Sequence, residues 1–174
     1  MTGERVPLVV LVGPPGALTS EVGHELGRRL GVGVRDTDDD VVSAAGKPVA
    51  DVFVDDGESV FRDLERLAVS RALAEHDGVL VLGSGAVMDP LTEQALGGRA
   101  VAFLDVSVSD AARRLGFSGP RPAGIGNPRA QWLRLMERRR GVYERVASFT
   151  VGTDGLEPSA VADAVLALLP ERSV

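Results

Sequence analysis

Along the chain, runs of consecutive apolar residues alternate with stretches in which apolar positions recur every three or four residues. Residues 8–12 and 79–82 are continuous apolar runs and 100–105 is one up to its closing Asp105, the pattern of strands buried on both faces of a parallel sheet. Shorter strands are expected within 31–37 and at 149–151. Between them, Val22, Leu26 and Leu30 mark a helix by their four-residue spacing. A long helix is expected over 58–75, with Val60, Phe61, Leu64, Leu67, Ala68 and Leu73 as one stripe. Further helices are predicted at 38–45, 48–54, 89–96, 107–115, 129–145 and 159–169. Strand and helix alternation of this kind builds βαβ units, so residues 1–174 read as one α/β domain without repeats or an interdomain linker. Residues 116–128 hold four Gly and three Pro and read as a mobile loop. Trp132, Leu135 and Met136 at helical spacing read as core. His24 and His76 read as surface residues.

Composition narrows the function classes. The 174 residues are 44% apolar, enough for a substantial core. A formal net charge of −6 argues against a general nucleic-acid binder, which needs a basic face. There are no cysteines and two histidines, which excludes disulfides, thiolate nucleophiles and cysteine-based metal clusters. The early apolar run is too short for a signal peptide or a membrane helix, so a soluble, cytoplasmic protein with no membrane partner is expected. The basic residues are 18 Arg and one Lys, Lys47, so abundant arginine is not by itself a sign of anion binding.

The chemistry begins at the first turn. Gly13-Pro14-Pro15-Gly16-Ala17-Leu18-Thr19-Ser20 joins the first strand to the first helix, the setting of the phosphate-cradling G-x-x-x-x-G-K-[ST] loop. Gly13 and Ser20 fit that pattern. Leu18 stands in the place of the second glycine and Thr19 in the place of the lysine, so the motif is degenerate.

Further along come Asp36-Thr37-Asp38, Ala50-Asp51-Val52-Phe53, Asp56-Gly57-Glu58, Phe61-Arg62-x-x-Glu65, Leu82-Gly83-Ser84-Gly85-Ala86-Val87, Arg121-Pro122, and Arg139 with Tyr143. In this order and spacing the chain resembles the bacterial shikimate kinases from about residue 6 to 169. The resemblance implies a three-layer P-loop kinase fold, with a five-stranded parallel sheet in the order 2-3-1-4-5. An acceptor-binding segment would lie at about 38–65 and a lid at about 116–128. It implies ATP and Mg²⁺ as cofactors, and shikimate or a similar cyclic polyol acid as partner.

Roles follow position by position. Asp38 matches the carboxylate that binds the ring hydroxyls and accepts the reacting proton. Arg62 and Arg139 match the arginines that hold the ring carboxylate, a task suited to a planar fork of donors. Gly83 and Gly85 match the glycine turn lying against the acceptor. Ser20 and Asp36 match the Mg²⁺ site, and Gly13, Gly16, Ala17, Leu18 and Thr19 the nucleotide loop. Arg121 matches the lid arginine that reaches acceptor and phosphoryl group. Arg114 and Pro158 fall where the family sandwiches adenine.

Against that pattern, Thr19 removes a point cation at the phosphates, and Glu21 follows Ser20 where a small hydroxyl residue is usual. Ser84 separates the two glycines, and Ala123-Gly124 replaces apolar residues after Arg121-Pro122. The acceptor side matches while the phosphate loop departs, and two functions of different class remain. One is ATP-dependent 3-phosphorylation of the acceptor, weakened or lost. The other is a non-catalytic binding protein for shikimate or a related acid, regulating or pairing with a true kinase.

Overall fold

The computed structural model describes residues 6–119 and 126–170. Five parallel strands, β1 (Val9–Val12), β2 (Val34–Asp36), β3 (Val79–Val81), β4 (Val101–Asp105) and β5 (Phe149–Gly152), pair in the order β2-β3-β1-β4-β5. The register places Leu11 beside Val81 and Ala102. β1 and β3 are buried along their whole length, because helices cover both faces and leave no side for polar residues.

The helices are α1 (Thr19–Leu30), α2 (Thr37–Ala45), α3 (Val49–Asp55), α4 (Glu58–Glu75), α5 (Pro90–Ala95), α6 (Val108–Leu115), α7 (Pro128–Val146) and α8 (Pro158–Leu168). The expected elements are all present, with shifted ends. Asp36 caps α2 by accepting from the backbone N–H of Asp38 at 3.0 Å, so α2 starts one residue earlier than predicted. Asp89 caps α5 in the same way through Leu91. A 3₁₀ turn, Ala86–Met88, was not foreseen; three residues are too few to carry a period.

Two apolar clusters form the interior. The main one joins the sheet to α1, α4, α7 and α8, and includes Phe103 stacked on Tyr143 with ring centroids 5.0 Å apart. Trp132 and Met136 belong to it and Leu135 packs against it, as expected. The smaller cluster, Val41, Val52, Phe61 and Ala68, ties α2 and α3 to α4 and so gives the 38–65 segment its own anchor.

Three apolar expectations fail. Leu30, Val60 and Leu67 are exposed, while Glu65 on α4 is buried at 4% exposure. His24 is exposed and His76 half-buried; each ring donates to a main-chain carbonyl, of Ser20 and Val79 respectively. Arg121 and residues 120–125 of the expected lid lie outside the described residues, and Pro128 belongs to α7 rather than to a loop.

Candidate active site

In open α/β sheets, ligands settle beyond the carboxyl ends of the strands. Here the ends of β1, β2 and β3 deliver residues 13–20, Asp36–Asp38 and residues 82–85 to one region. A cleft of about 300 Å³ is lined by Gly13, Gly16, Ala17, Leu18, Thr19, Ser20, Asp36, Asp38, Ser84 and Arg114, among others. It therefore gathers the expected phosphate loop, the expected Mg²⁺ pair and the expected base. A roomier cleft of about 650 Å³ between α4 and α5 contains none of them. Side-chain chemistry, not volume, marks the smaller one.

Leu18 sits at φ 64°, ψ 27°, the left-handed region, and is the sole non-glycine with positive φ among the described residues. A Cβ there costs about 1–2 kcal/mol. The loop thus keeps the backbone shape that a glycine would allow, with a half-buried leucine side chain packed on the core. Thr19 begins α1 and brings no charge. The cleft lining carries three carboxylates, Glu21, Asp36 and Asp38, against one guanidinium, Arg114.

Arg114 is itself engaged. It donates to the carbonyls of Gly16 (2.9 Å), Thr153 (2.5 Å) and Leu156 (3.4 Å) and to Thr153 Oγ1 (2.9 Å). This ties the phosphate loop to the turn leading into Pro158, the first residue of α8. Trp132 Nε1 donates to the Pro15 carbonyl at 2.9 Å, so the loop is fastened from α7 as well.

Ser20 Oγ donates to Asp36 Oδ2 at 2.6 Å. A hydroxyl and a carboxylate are the hard oxygen donors Mg²⁺ selects, and Mg²⁺ usually takes only one or two protein ligands besides phosphates and water. The pair fits that ion. Among the described residues no group of three or more His, Cys, Asp or Glu is arranged to hold a metal, so a Mg²⁺ here would lean on nucleotide phosphates.

The residues expected on the acceptor side come from α2, α4, α7 and the β3 turn. Asp38 is pushed up to about 6, first by burial and then by the neighbouring charges of Asp36 and Glu65. Burial also raises Glu65, partly countered by Arg62, whose Nη1 donates to Glu65 Oε1 at 2.7 Å. A Cβ on Gly83 would lie 2.6 Å from Asp38 Oδ1 and 3.0 Å from Glu65 Oε2; one on Gly85 would lie 2.6 Å from Arg62 Nη1 and 3.0 Å from Arg139 Nη2. The absence of a Cβ at both positions lets the side-chain ends of Asp38, Glu65, Arg62 and Arg139 close around one short turn.

That turn is pinned. Gly83 N donates to Thr37 Oγ1 (3.0 Å), the buried Tyr143 hydroxyl to the Ser84 carbonyl (2.5 Å), and Arg139 Nη1 to Ser84 Oγ (3.1 Å). Sequence reasoning missed Glu65, Thr37 and Trp132 as parts of the site. For Glu65 a signal existed, a carboxylate interrupting the apolar face of α4. Thr37 and Glu65 also stand inside the quoted motifs Asp36-Thr37-Asp38 and Phe61-Arg62-x-x-Glu65, whereas Trp132 offered no signal, since its role is a contact across many residues.

The comparisons agree with this geometry. The family model described as shikimate kinase matches residues 15–170. The shikimate kinase of Streptomyces coelicolor is 51% identical over 160 residues, covering 92% of this chain and 94% of that protein. That of Streptomyces avermitilis is 53% identical over 161 residues, with the same coverage. Among solved structures, Acinetobacter baumannii shikimate kinase in complex with shikimate superposes with a TM-score of 0.85 at 28% identity, covering 95% of this chain and 93% of that one. The sheet order 2-3-1-4-5 and its flanking helices are those of the P-loop kinase fold. This chain belongs to the shikimate kinase family.

Proposed function

We propose that this protein binds shikimate, or a closely related cyclic polyol acid, in an intact acceptor pocket, and transfers phosphate to it from MgATP slowly or not at all. One observation carries the reading. The cleft that should take a triphosphate has Thr19 where a cation is needed, Leu18 in a left-handed conformation, and three carboxylates against one already engaged arginine.

The magnitude decides it. A unit charge at about 4 Å with an effective dielectric near 20 contributes about 4 kcal/mol, on the order of a thousandfold in rate. The acceptor side has no such loss. Arg62 and Arg139 converge over Gly85 and offer two guanidinium forks to a ring carboxylate. Asp38, ionised at neutral pH with its value near 6, accepts hydrogen bonds from ring hydroxyls.

In the family reaction the 3-hydroxyl oxygen bonds to the γ-phosphorus as the bridging P–O bond breaks, and Asp38 takes the hydroxyl proton. Ser20 and Asp36 would hold the Mg²⁺ that neutralises phosphate charge. Arg121 would reach the phosphoryl group from the lid at about 116–128, and Arg114 and Pro158 would flank the adenine. The chain acts as one cytoplasmic domain, with residues 38–65 as the acceptor segment.

The Ser20–Asp36 bond favours a second reading, residual catalysis, because it preserves the metal-binding pair. If turnover is absent, the protein is a shikimate-class binder that regulates or pairs with an active kinase. Coupled ADP release with shikimate separates these outcomes. Wild type is expected well below the ~1–10³ s⁻¹ usual for enzymes, and Leu18→Gly with Thr19→Lys is expected to gain at least tenfold. Wild-type turnover within that range would contradict the proposal.

A further inference from the structure

Ser84 is the one side chain of the β3 turn that reaches both halves of the site. It lines the nucleotide cleft, and its Oγ accepts a hydrogen bond from Arg139 Nη1 at 3.1 Å. Its backbone cannot drift. The Tyr143 hydroxyl holds the Ser84 carbonyl at 2.5 Å, and Thr37 Oγ1 holds the preceding N–H of Gly83 at 3.0 Å. Tyr143 is fully buried and stacked on Phe103, so this support belongs to the core.

Arg139 makes no ion pair among the described residues, whereas Arg62 is paired with Glu65 and Glu58. The two guanidinium groups nonetheless approach the same point above Gly85, at 2.6 and 2.9 Å for Arg62 and 3.0 Å for Arg139 from a Cβ built there. Glu65 therefore orients one fork. The other meets two neutral hydroxyls, Ser84 Oγ at 3.1 Å and that of the buried Tyr143. A glycine or alanine at 84 would leave the Tyr143 hydroxyl as its remaining side-chain partner, and the ligand would have to order more of a long, rotamer-rich side chain at an entropic cost.

We infer that Ser84 is a positioning residue that pre-orients Arg139 for the carboxylate of the acceptor, and so sets the preference for an acid over its uncharged analogue. The inference rests on the acceptor-pocket reading above. A neutral hydroxyl does this without neutralising the guanidinium, which a carboxylate at 84 would do. The Arg139 charge stays available to the ligand while its direction is fixed.

Calorimetric titration of the whole protein with shikimate and with shikimate methyl ester tests it. Ser84→Ala is expected to weaken shikimate about three- to tenfold, the range of one hydrogen bond, and to leave the ester unchanged. Ser84→Thr, which keeps the hydroxyl, should restore most of the loss. In an Arg139→Ala background, Ser84→Ala should cost nothing further. A thermal melt near wild type accompanies each variant. Equal losses for acid and ester, no loss for either, or an undiminished loss without Arg139 would each overturn the inference. Wild type that binds neither ligand would remove the acceptor-pocket reading and this inference together. Shikimate binding that is indifferent to Ser84 removes the inference alone.

Discussion

Asp38 bears a cost that depends on pH. Its carboxyl is raised from 3.8 to about 6, chiefly by burial. Below about pH 4 it is protonated in folded and unfolded chains alike, and burial carries no charge penalty. Between about 4 and 6 the unfolded chain ionises while the folded one resists, so stability falls with rising pH; above 6 the loss is complete. Asp38→Asn removes the penalty. It should gain about 1–3 kcal/mol relative to wild type between about pH 4 and pH 7, each pKa unit being worth about 1.4 kcal/mol. Urea denaturation across that range checks it; a difference that stays flat would show that Asp38 is not desolvated. At the same scale Leu18 was legible in part. Its place in the motif is that of a glycine, and its φ of 64° lies in the left-handed region that glycine favours. Its half-burial against the core was not legible, because nothing local encodes which side chains meet across a turn.

At the scale of elements, α4 teaches the most. Its sequence offers Val60 and Leu67 as members of an apolar stripe, yet both are exposed, and Glu65 is buried instead. Periodicity finds a helix because apolar residues usually face inward; it errs where the inward face holds a paired charge, as Glu65 does with Arg62. Strands 8–12, 79–82 and 100–105 were plain for the opposite reason: both faces are covered, so no polar residue interrupts them before Asp105 closes the last. The Arg62–Glu65 pair gives a test on α4. Arg62→Ala strands a buried carboxylate and should cost about 1–3 kcal/mol, and adding Glu65→Gln should recover part of it. Acceptor affinity should stay at least tenfold low in both variants, while MgATP affinity stays as in wild type. Recovery of shikimate binding with Glu65→Gln would show that Arg62 serves the fold and not the ligand.

Over the whole molecule, topology and chemistry point different ways. The sheet order was available from ordered motifs shared with a family, and β2-β3-β1-β4-β5 agrees. What no motif discloses is how distant elements share one loop. Arg114 from α6 and Trp132 from α7 both bind phosphate-loop carbonyls, so the loop keeps its shape although two of its diagnostic residues are replaced. That fastening holds the loop from two helices without any contribution from the side chain of Thr19. On the proposed reading the difference from the phosphate-loop pattern is one of charge and not of architecture, so Thr19→Lys with Leu18→Gly is the substitution pair that tests it. No helix of the described residues is long and apolar enough to cross a membrane.

The most direct measurement is a pair of calorimetric titrations on the wild-type protein, one with shikimate and one with MgATP. The account predicts saturable shikimate binding at micromolar to millimolar concentration, about −8 to −4 kcal/mol, with MgATP at least tenfold weaker until Thr19→Lys and Leu18→Gly are introduced. MgATP binding at least as tightly as shikimate to the unaltered chain would contradict it.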